Sequence, residues 1–225
     1  MGRSRVLVIG DTHCPGMLPN YPQFLQRTYK KYNCNCVVHI GDLVDLAAIS
    51  YHAKSPGLSS VEEEFDKARK QVARLYRLFP TLHWIIGNHD ALTERQAASA
   101  GLPPEVLRDY SDIWQVPNWT VHPRYARHSI DDTVYTHGDA GKSGMHAAVK
   151  NSRDNFCNWV QGHCHSEGGV WWTTVEQRSV FGMNVGCGVD RDLLQFEYAV
   201  KFNRKPCLGC GVVINGKQAI YEPML

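Results

Sequence analysis

The stretch Leu82-His83-Trp84-Ile85-Ile86-Gly87-Asn88-His89-Asp90 joins a run of large, mostly apolar residues to three consecutive polar side chains. The apolar run is typical of a buried strand, and the glycine allows the backbone to turn where the strand ends. Polar groups such as those that follow are costly to bury unless something binds them. The stretch therefore predicts either a strand that delivers a binding site at its carboxyl end or a strand followed by an ordinary polar loop.

Four further strand ends along the chain carry polar groups of the same kind. These groups are Asp11 and His13; Asp42 and Asp45; His137; and His163 and His165. A single histidine after a strand is more often structural, but five such clusters would leave many polar groups unsatisfied without a central ligand. Mixed Asp, Asn and His ligands suit borderline divalent ions such as Mn, Fe, Zn or Ni.

The pattern of the first half predicts strands that alternate with helices. Its clearest helix begins at Ser60, which forms a capping box with Glu63, and it ends at Pro80. Between them, apolar residues recur at steps of three and four and define one apolar face. A strand, a crossover and another strand, repeated, predict parallel pairing, with ligands beyond the carboxyl ends of the strands.

The second half is predicted to be mostly β and to supply a second sheet packed on the first. Its candidate strands are 170–175, 181–185, 197–202 and a hairpin over 212–221. Asn215-Gly216 is the signal of a type I′ turn within that hairpin.

Residues 91–118 interrupt the alternation of strands and helices. They read as two short helices, 92–100 and 104–114, separated by Gly101-Leu102-Pro103. An insertion directly after Asn88 and His89 would overhang the predicted site. The segment is therefore either a cap that shapes the substrate site or a surface excursion.

The length, composition and net charge of the chain are those of an ordinary globular protein. The chain has 225 residues, of which 43% are hydrophobic and 20% charged, with a net charge of +2. Such a balance does not favour nucleic acid or a membrane surface as a partner. No apolar run approaches the roughly 20 residues of a membrane span, and none near the start suits a signal peptide. We therefore expect a cytoplasmic protein.

The eight cysteines are expected to be free thiols, because a cytoplasmic chain of this length does not need disulfides. Cys207 and Cys210 have the spacing of half a zinc knuckle, and Cys34 and Cys36 are the other close pair. A structural zinc ion between the pairs is the alternative to buried free thiols.

Taken in order, the motifs Asp-x-His, Gly-Asp-x-x-Asp, Gly-Asn-His-Asp, a later His and Gly-His-x-His resemble the signature of calcineurin-like metallophosphoesterases. They occur in the family's order between residues 11 and 165. The resemblance implies one α/β domain over residues 1–225, a four-layer α/β/β/α sandwich with two mixed sheets. It also implies two divalent metal ions at the sheet edges, with Mn favoured and Fe, Zn or Ni as alternatives.

The resemblance also implies a role for each residue of the signature. One metal would be held by Asp11, His13, Asp42 and His165. Asp42 would bridge to the second metal, whose remaining ligands would be Asn88, His137 and His163. His89 would be the catalytic general acid, and Asp45 the carboxylate that orients it.

This sequence departs from the protein Ser/Thr phosphatase branch of the family at two positions. Leu46 replaces the arginine after Gly-Asp-x-x-Asp, and Asp90 replaces the glutamate after Gly-Asn-His. A phosphomonoester dianion would therefore lack its usual cationic clamp. Four other cations could serve instead but are more typical of solvated surface charges: Arg95, Arg124, Arg127 and Lys142.

Our leading hypothesis is a dinuclear metal-dependent phosphoesterase that hydrolyses phosphodiesters of small or nucleotide-like substrates by attack of a metal-bridging hydroxide. A phosphomonoesterase is the closest alternative. A nuclease of the same fold is disfavoured because the chain has no basic stripe. A hypothesis from another class is a metal-bound scaffold that recruits partners without catalysis, which predicts eroded metal ligands. None of the signature residues is replaced here.

Overall fold

A computed structural model describes residues 4–51, 57–142, 144–193 and 203–225. Along the chain its strands are β1 (Arg5–Ile9), β2 (Cys36–His39), β3 (His83–Ile85), β4 (Thr120–His122), β5 (His128–Ile130), β6 (Thr133–Thr136), β7 (Asn158–Gln161), β8 (Gly168–Val175), β9 (Arg178–Val185), β10 (Gly209–Ile214) and β11 (Gln218–Pro223). Its α-helices are α1 (Tyr21–Lys31), α2 (Val61–Leu78), α3 (Leu92–Ser99), α4 (Tyr110–Ile113) and α5 (Ala147–Asn155).

The strands form two mixed sheets. The first has the order β11-β10-β1-β2-β3-β4, and the second has the order β5-β6-β7-β9-β8. β1 to β4 run parallel to one another, as do β6, β7 and β9. The predicted parallel pairing is therefore confirmed, and the carboxyl ends of several strands meet along one edge of each sheet.

The core is divided into two apolar layers by the alternation of side chains along the strands. On β1, Leu7 faces the helices α1 and α2, whereas Val6 and Val8 face the second sheet. On the far side, α5 packs so closely against β9 that a Cβ atom at Gly182 would overlap the backbone of Ala148. The fold is thus the predicted four-layer α/β/β/α sandwich.

The helix that the sequence predicts most clearly is confirmed as α2. The Ser60 side chain accepts a hydrogen bond from the Glu63 amide, and the Glu63 side chain accepts one from the Ser60 amide. Its apolar face, including Val72 and Leu75, is buried against the first sheet. The capping box and the apolar periodicity act within one element, so the sequence alone is enough to predict it.

Two predictions about the fold need correction, and one helix was missed. The helix predicted over 104–114 is a 3₁₀ turn over Pro104–Val106 followed by the short α4, because the backbone between them is extended, with ψ values of 144° at Leu107 and 146° at Asp109. The helix α5 was not predicted, since its buried face consists mainly of small residues. The C-terminal hairpin β10–β11 joins the first sheet beside β1, not the second. The strand predicted over 197–202 lies outside the described residues.

The segment 91–118 packs on the helix-covered side of the first sheet. Leu92, Trp114 and Val116 belong to the same buried cluster as α2, and Trp114 lies against Phe65 with ring centroids 4.7 Å apart. Its role as a cap stays a prediction.

None of the described helices is both long and apolar enough to cross a membrane. All eight cysteines are free thiols.

Candidate metal centre

The polar residues of the signature converge at the carboxyl ends of five strands. They follow β1, β2, β3, β6 and β7, which contribute Asp11 and His13; Asp42 and Asp45; Asn88 and His89; His137; and His163 and His165. Asp11, His13, Asp42, Asp45 and His137 are at most 2% exposed. A buried group of this size and polarity requires internal partners or a bound ion.

The first cluster consists of Asp11, His13, Asp42 and His165, which can each offer one donor atom within 4.8 Å of the others. The Nε2 atoms of His13 and His165 are 3.1 Å apart. His165 Nε2 lies 3.4 Å from Asp11 Oδ1, and His13 Nε2 lies 3.5 Å from Asp42 Oδ2. Two carboxylates and two imidazoles thus surround one point.

The second cluster shares Asp42 with the first. Asp42, His137 and His163 again place donor atoms within 4.8 Å of one another. Asp42 Oδ2 lies 3.3 Å from His137 Nε2. The same nitrogen of His137 is 2.9 Å from Asn88 Oδ1. One carboxylate oxygen of Asp42 therefore lies between the two clusters.

His89 is held by Asp45 beside the first cluster. Its Nδ1 donates a hydrogen bond to the Asp45 backbone carbonyl at 2.8 Å and lies 3.1 Å from the carboxylate Oδ1. The same carboxylate oxygen is 2.8 Å from His13 Nδ1. Asp45 therefore orients two imidazoles at once, one in the cluster and one beside it.

The loops after the strands bring these side chains together through left-handed backbone conformations. The alternation of side chains along an extended strand is not what aims them. His13, Asp42 and His163 have φ values of 45°, 48° and 62°, in the left-handed region. Asp11 and His13, and likewise His163 and His165, therefore converge although neither segment is the extended backbone in which residues two apart share a face. The polar stretch at residues 88–90 is likewise a turn.

Gly87 is needed for close approach. Its φ is not in the left-handed region. A Cβ atom there would overlap Oδ1 and the amide nitrogen of Asp42. Asp90 fixes the same loop, because its carboxylate accepts hydrogen bonds from the amides of Gly87 and Val44 and from Trp84 Nε1, at 2.9, 3.0 and 3.2 Å. We assign Asp90 a structural role.

The carboxylates of the centre are buried, and their ion-pair partners are histidines. This arrangement shifts the pKa values of both kinds of group. Burial opposes ionisation, but the neighbouring histidines outweigh it and lower the pKa values of Asp11 and Asp42. Burial also disfavours protonated His89 and His137, yet nearby carboxylates, Asp42 foremost, raise both pKa values to about 10. The protons on His89 and His137 thus provide the positive charge that balances these carboxylates.

The donor set fits divalent metal ions. A metal can replace those protons, because carboxylates and neutral imidazoles are the forms that coordinate borderline divalent ions. Oδ2 of Asp45 is buried with no hydrogen-bond partner in the described part of the chain, which shows that the polar groups here do not satisfy one another fully.

A cavity of about 670 Å³ opens over both clusters. Asp42, Asn88, His89, His163 and His165 line it, and so do Arg204 and Lys205. We did not predict the last two, because they follow the centre by about forty residues and no motif marks them. The only signal for them in the sequence was the pair of adjacent positive charges in Arg204-Lys205-Pro206.

The four cations considered from the sequence are engaged elsewhere. Arg124 pairs with Asp139 at 2.8 Å, and Lys142 lies 3.5 Å from Asp154. Arg127 donates to Asn155 Oδ1, and Arg95 lies over the ring of Tyr51. None of them lines the described cavity.

The model of the calcineurin-like phosphoesterase family matches residues 4–179. The chain belongs to this family. Calcineurin-like phosphoesterases act on phosphate esters and bind pairs of divalent metal ions, and this member carries candidate His/Asp ligand clusters. The resemblance found in the motifs is thereby confirmed. No curated protein sequence matches the chain.

Several solved structures are similar to this chain. The phosphoesterase YfcE from E. coli is 13% identical, with 92% of this chain and 87% of that chain covered and a TM-score of 0.45. Vacuolar protein sorting 29 from Cryptosporidium parvum is 16% identical over 97% and 96% of the chains, with a TM-score of 0.45. The nuclease MPE from Pseudomonas putida is 14% identical over 97% and 87%, with a TM-score of 0.32.

Proposed function

We propose that this phosphoesterase is a dinuclear metal-dependent enzyme that hydrolyses phosphodiesters of small or nucleotide-like substrates. The observation that carries the proposal is the pair of His/Asp clusters that share Asp42 at the base of a cavity of about 670 Å³. Cavities of about 300–1,000 Å³ suit small ligands. The family supports hydrolysis of a phosphate ester.

Each metal has its own proposed ligand set, with Asp42 common to both. The first set is Asp11, His13, Asp42 and His165, and the second is Asp42, Asn88, His137 and His163. We propose Mn²⁺ as the ion, with Fe, Zn or Ni as alternatives. When bound, the pair of ions supplies an activated water molecule and neutralises charge on the phosphate oxygens.

Hydrogen bonds on the outer side of the ligands support this assignment. His137 Nδ1 donates to the Ile40 carbonyl at 2.9 Å, and His13 Nδ1 contacts the Asp45 carboxylate at 2.8 Å. Each contact places the proton on Nδ1 and leaves the Nε2 lone pair for coordination. Both Nε2 atoms face Asp42 Oδ2, at 3.3 and 3.5 Å.

The surroundings of the centre favour a diester over a monoester. Leu46, which stands at the position of the clamp arginine, is 5% exposed and belongs to the apolar core, so no charge reaches the phosphate from there. A diester carries one negative charge less than a monoester dianion and needs less compensation. A phosphomonoesterase is the second candidate, because Arg204 and Lys205 bring positive charge to the cavity wall.

A panel of substrates and metals tests the proposed function. The full chain is stripped of metal and reloaded with Mn²⁺, Fe²⁺, Zn²⁺ or Ni²⁺, and turnover is measured with bis(4-nitrophenyl) phosphate, 4-nitrophenyl phosphate, cyclic nucleotides and single-stranded DNA. We expect two bound ions and the highest kcat/KM on a small diester. Faster turnover of the monoester or of DNA would contradict the diester assignment. Two bound ions without turnover of any ester would support the scaffold hypothesis.

Replacing Cys164 by serine is expected to keep both metal ions and to change turnover by no more than about twofold, as for substitutions worth about 0.5 kcal/mol or less. Cys164 Sγ contacts the Gly144 carbonyl at 3.5 Å and belongs to none of the ligand clusters in the described residues. Metal analysis and turnover of the variant test this expectation. Loss of one metal equivalent would show that the thiolate is a ligand.

A further inference from the structure

A second histidine cluster lies outside the candidate metal centre. It consists of His83, His122 and His128, which are the first residue of β3, the last residue of β4 and the first residue of β5. None of them belongs to the ligand clusters around Asp42. The proposed hydrolysis uses none of the three.

The cluster lies between the edges of the two sheets. β4 is the edge strand of the first sheet, and β5 is the edge strand of the second. His83 is two residues before Ile85, which faces the space between the sheets, so both side chains lie on that face. The neighbour of His122, Val121, packs on the opposite, helix-covered side. His128 reaches the same point from the second sheet.

The nitrogen atoms are close enough to share one ion. One donor atom from each histidine lies within 4.8 Å of the others, and His83 Nδ1 is 3.1 Å from His122 Nε2. The His128 ring centroid lies 4.4 Å from that of His83 and 4.3 Å from that of His122. Tetrahedral zinc with Zn–N bonds of about 2.0–2.1 Å requires nitrogen atoms about 3.4 Å apart, which small rotations of these side chains supply.

Hydrogen bonding among the three rings does not account for the cluster. His83 and His122 can share one hydrogen bond, but His128 Nε2 is buried and has no hydrogen-bond partner in the part of the chain that the structure describes. A buried polar atom without a protein partner is uncommon in native proteins, and a bound ion would satisfy it. Three converging imidazoles would donate their lone pairs to an ion more readily than to one another.

The protonation state of the rings is compatible with coordination. Burial lowers the pKa values of all three histidines, and repulsion from neighbouring rings lowers those of His122 and His128 further, the latter to about 4. The rings are therefore neutral at pH 7, as metal ligands must be.

We propose that His83, His122 and His128 form a second metal site, which binds Zn²⁺ and links the edges of the two sheets. Three imidazoles are a donor set that zinc accepts with water as the fourth ligand. The ion would connect His122 at the end of β4 with His128 at the start of β5 and would thereby stabilise two three-residue edge strands. This site is independent of the proposed hydrolysis at the first centre.

Zinc binding to matched variants tests the proposal. We use the full chain with Asp42→Asn as the background, because this change weakens the first centre and leaves the second intact. Adding Zn²⁺ is expected to raise the unfolding temperature of this background. His128→Ala should reduce that rise to what the weakened first centre contributes, and it should lower zinc affinity at the second site by at least about 100-fold, the upper end of what loss of an outer-shell partner costs. The control is His146→Ala, since His146 is exposed and outside the cluster.

The outcomes separate the proposed site from the first centre and from misfolding. An unchanged zinc effect in His128→Ala, or an equal loss in His146→Ala, would overturn the proposal. If His128→Ala does not fold, anomalous diffraction from crystals of the unmodified protein soaked in Zn²⁺ decides. A zinc peak between the three rings supports the site, and its absence there in crystals that bind zinc at the first centre refutes it.

Discussion

Replacing Asp42 by asparagine is expected to reduce bound metal and to lower turnover more than about 100-fold, because loss of an outer-shell partner alone typically costs 10–100-fold. Asp42 belongs to both ligand clusters, and its Oδ2 lies 3.5 Å from His13 Nε2 and 3.3 Å from His137 Nε2. It is thus the proposed bridging ligand, and two closely spaced cations need its negative charge to offset their repulsion.

Asparagine removes this charge while preserving the local fold. Oδ1 of Asp42 accepts a hydrogen bond from the His89 amide at 2.8 Å, and the amide oxygen of asparagine can accept the same bond. The asparagine NH₂ group would then replace Oδ2 between the two imidazoles and could not coordinate a metal. The variant therefore separates metal binding from folding.

Metal analysis and steady-state kinetics of Asp42→Asn test this prediction, with circular dichroism as the check on folding. Asp112→Asn is the matched control, because Asp112 is exposed and the change removes the same charge far from the clusters. We expect the control to keep two metal equivalents and full turnover. Two full equivalents and normal turnover in Asp42→Asn would refute the bridging assignment.

Replacing His89 by alanine is expected to keep both metals and to slow hydrolysis of an alkyl ester by about 10²–10⁴-fold, which is the typical contribution of general acid catalysis. A poor leaving group must gain a proton as its bond to phosphorus breaks. The loss should shrink for a 4-nitrophenyl ester, since nitrophenolate leaves with little need of a proton.

The geometry of His89 supports this role. Its Nδ1 donates to the Asp45 carbonyl at 2.8 Å, so Nε2 is the nitrogen that remains for a substrate. The side chain is 13% exposed and lines the cavity, whereas the proposed ligand His13 is fully buried. His89 is close to the centre, with its ring centroid 4.6 Å from that of His13. It can thus reach a leaving group beside the metals without coordinating them.

Comparison of leaving groups in two variants tests the acid role. His89→Gln keeps a hydrogen-bond donor but has no proton to transfer, so it should resemble His89→Ala on the alkyl ester. Equal losses for alkyl and nitrophenyl esters would contradict proton donation. A missing metal equivalent in either variant would instead identify His89 as a ligand.

The predictions from sequence succeeded where the signal is local. The capping box and apolar face of α2, and the Asn215-Gly216 turn of the β10–β11 hairpin, depend on residues only a few positions apart. They failed where tertiary packing decides. α5 has a buried face of small residues, so its helical periodicity is weak until the contact with Gly182 is known. The hairpin was predicted, but not which sheet it would join.

The sequence by itself determined the family, the order of the strands along the chain and the polar residues that follow five of them. It could do so because buried strands and ligand-type side chains leave local patterns in residue type. Only the tertiary structure decided which atoms meet. Left-handed backbone at His13, Asp42 and His163 aims the side chains, and the space at Gly87 admits the Asp42 carboxylate. Arg204 joins the cavity, and His83 meets His128, through contacts between distant segments that no local periodicity encodes.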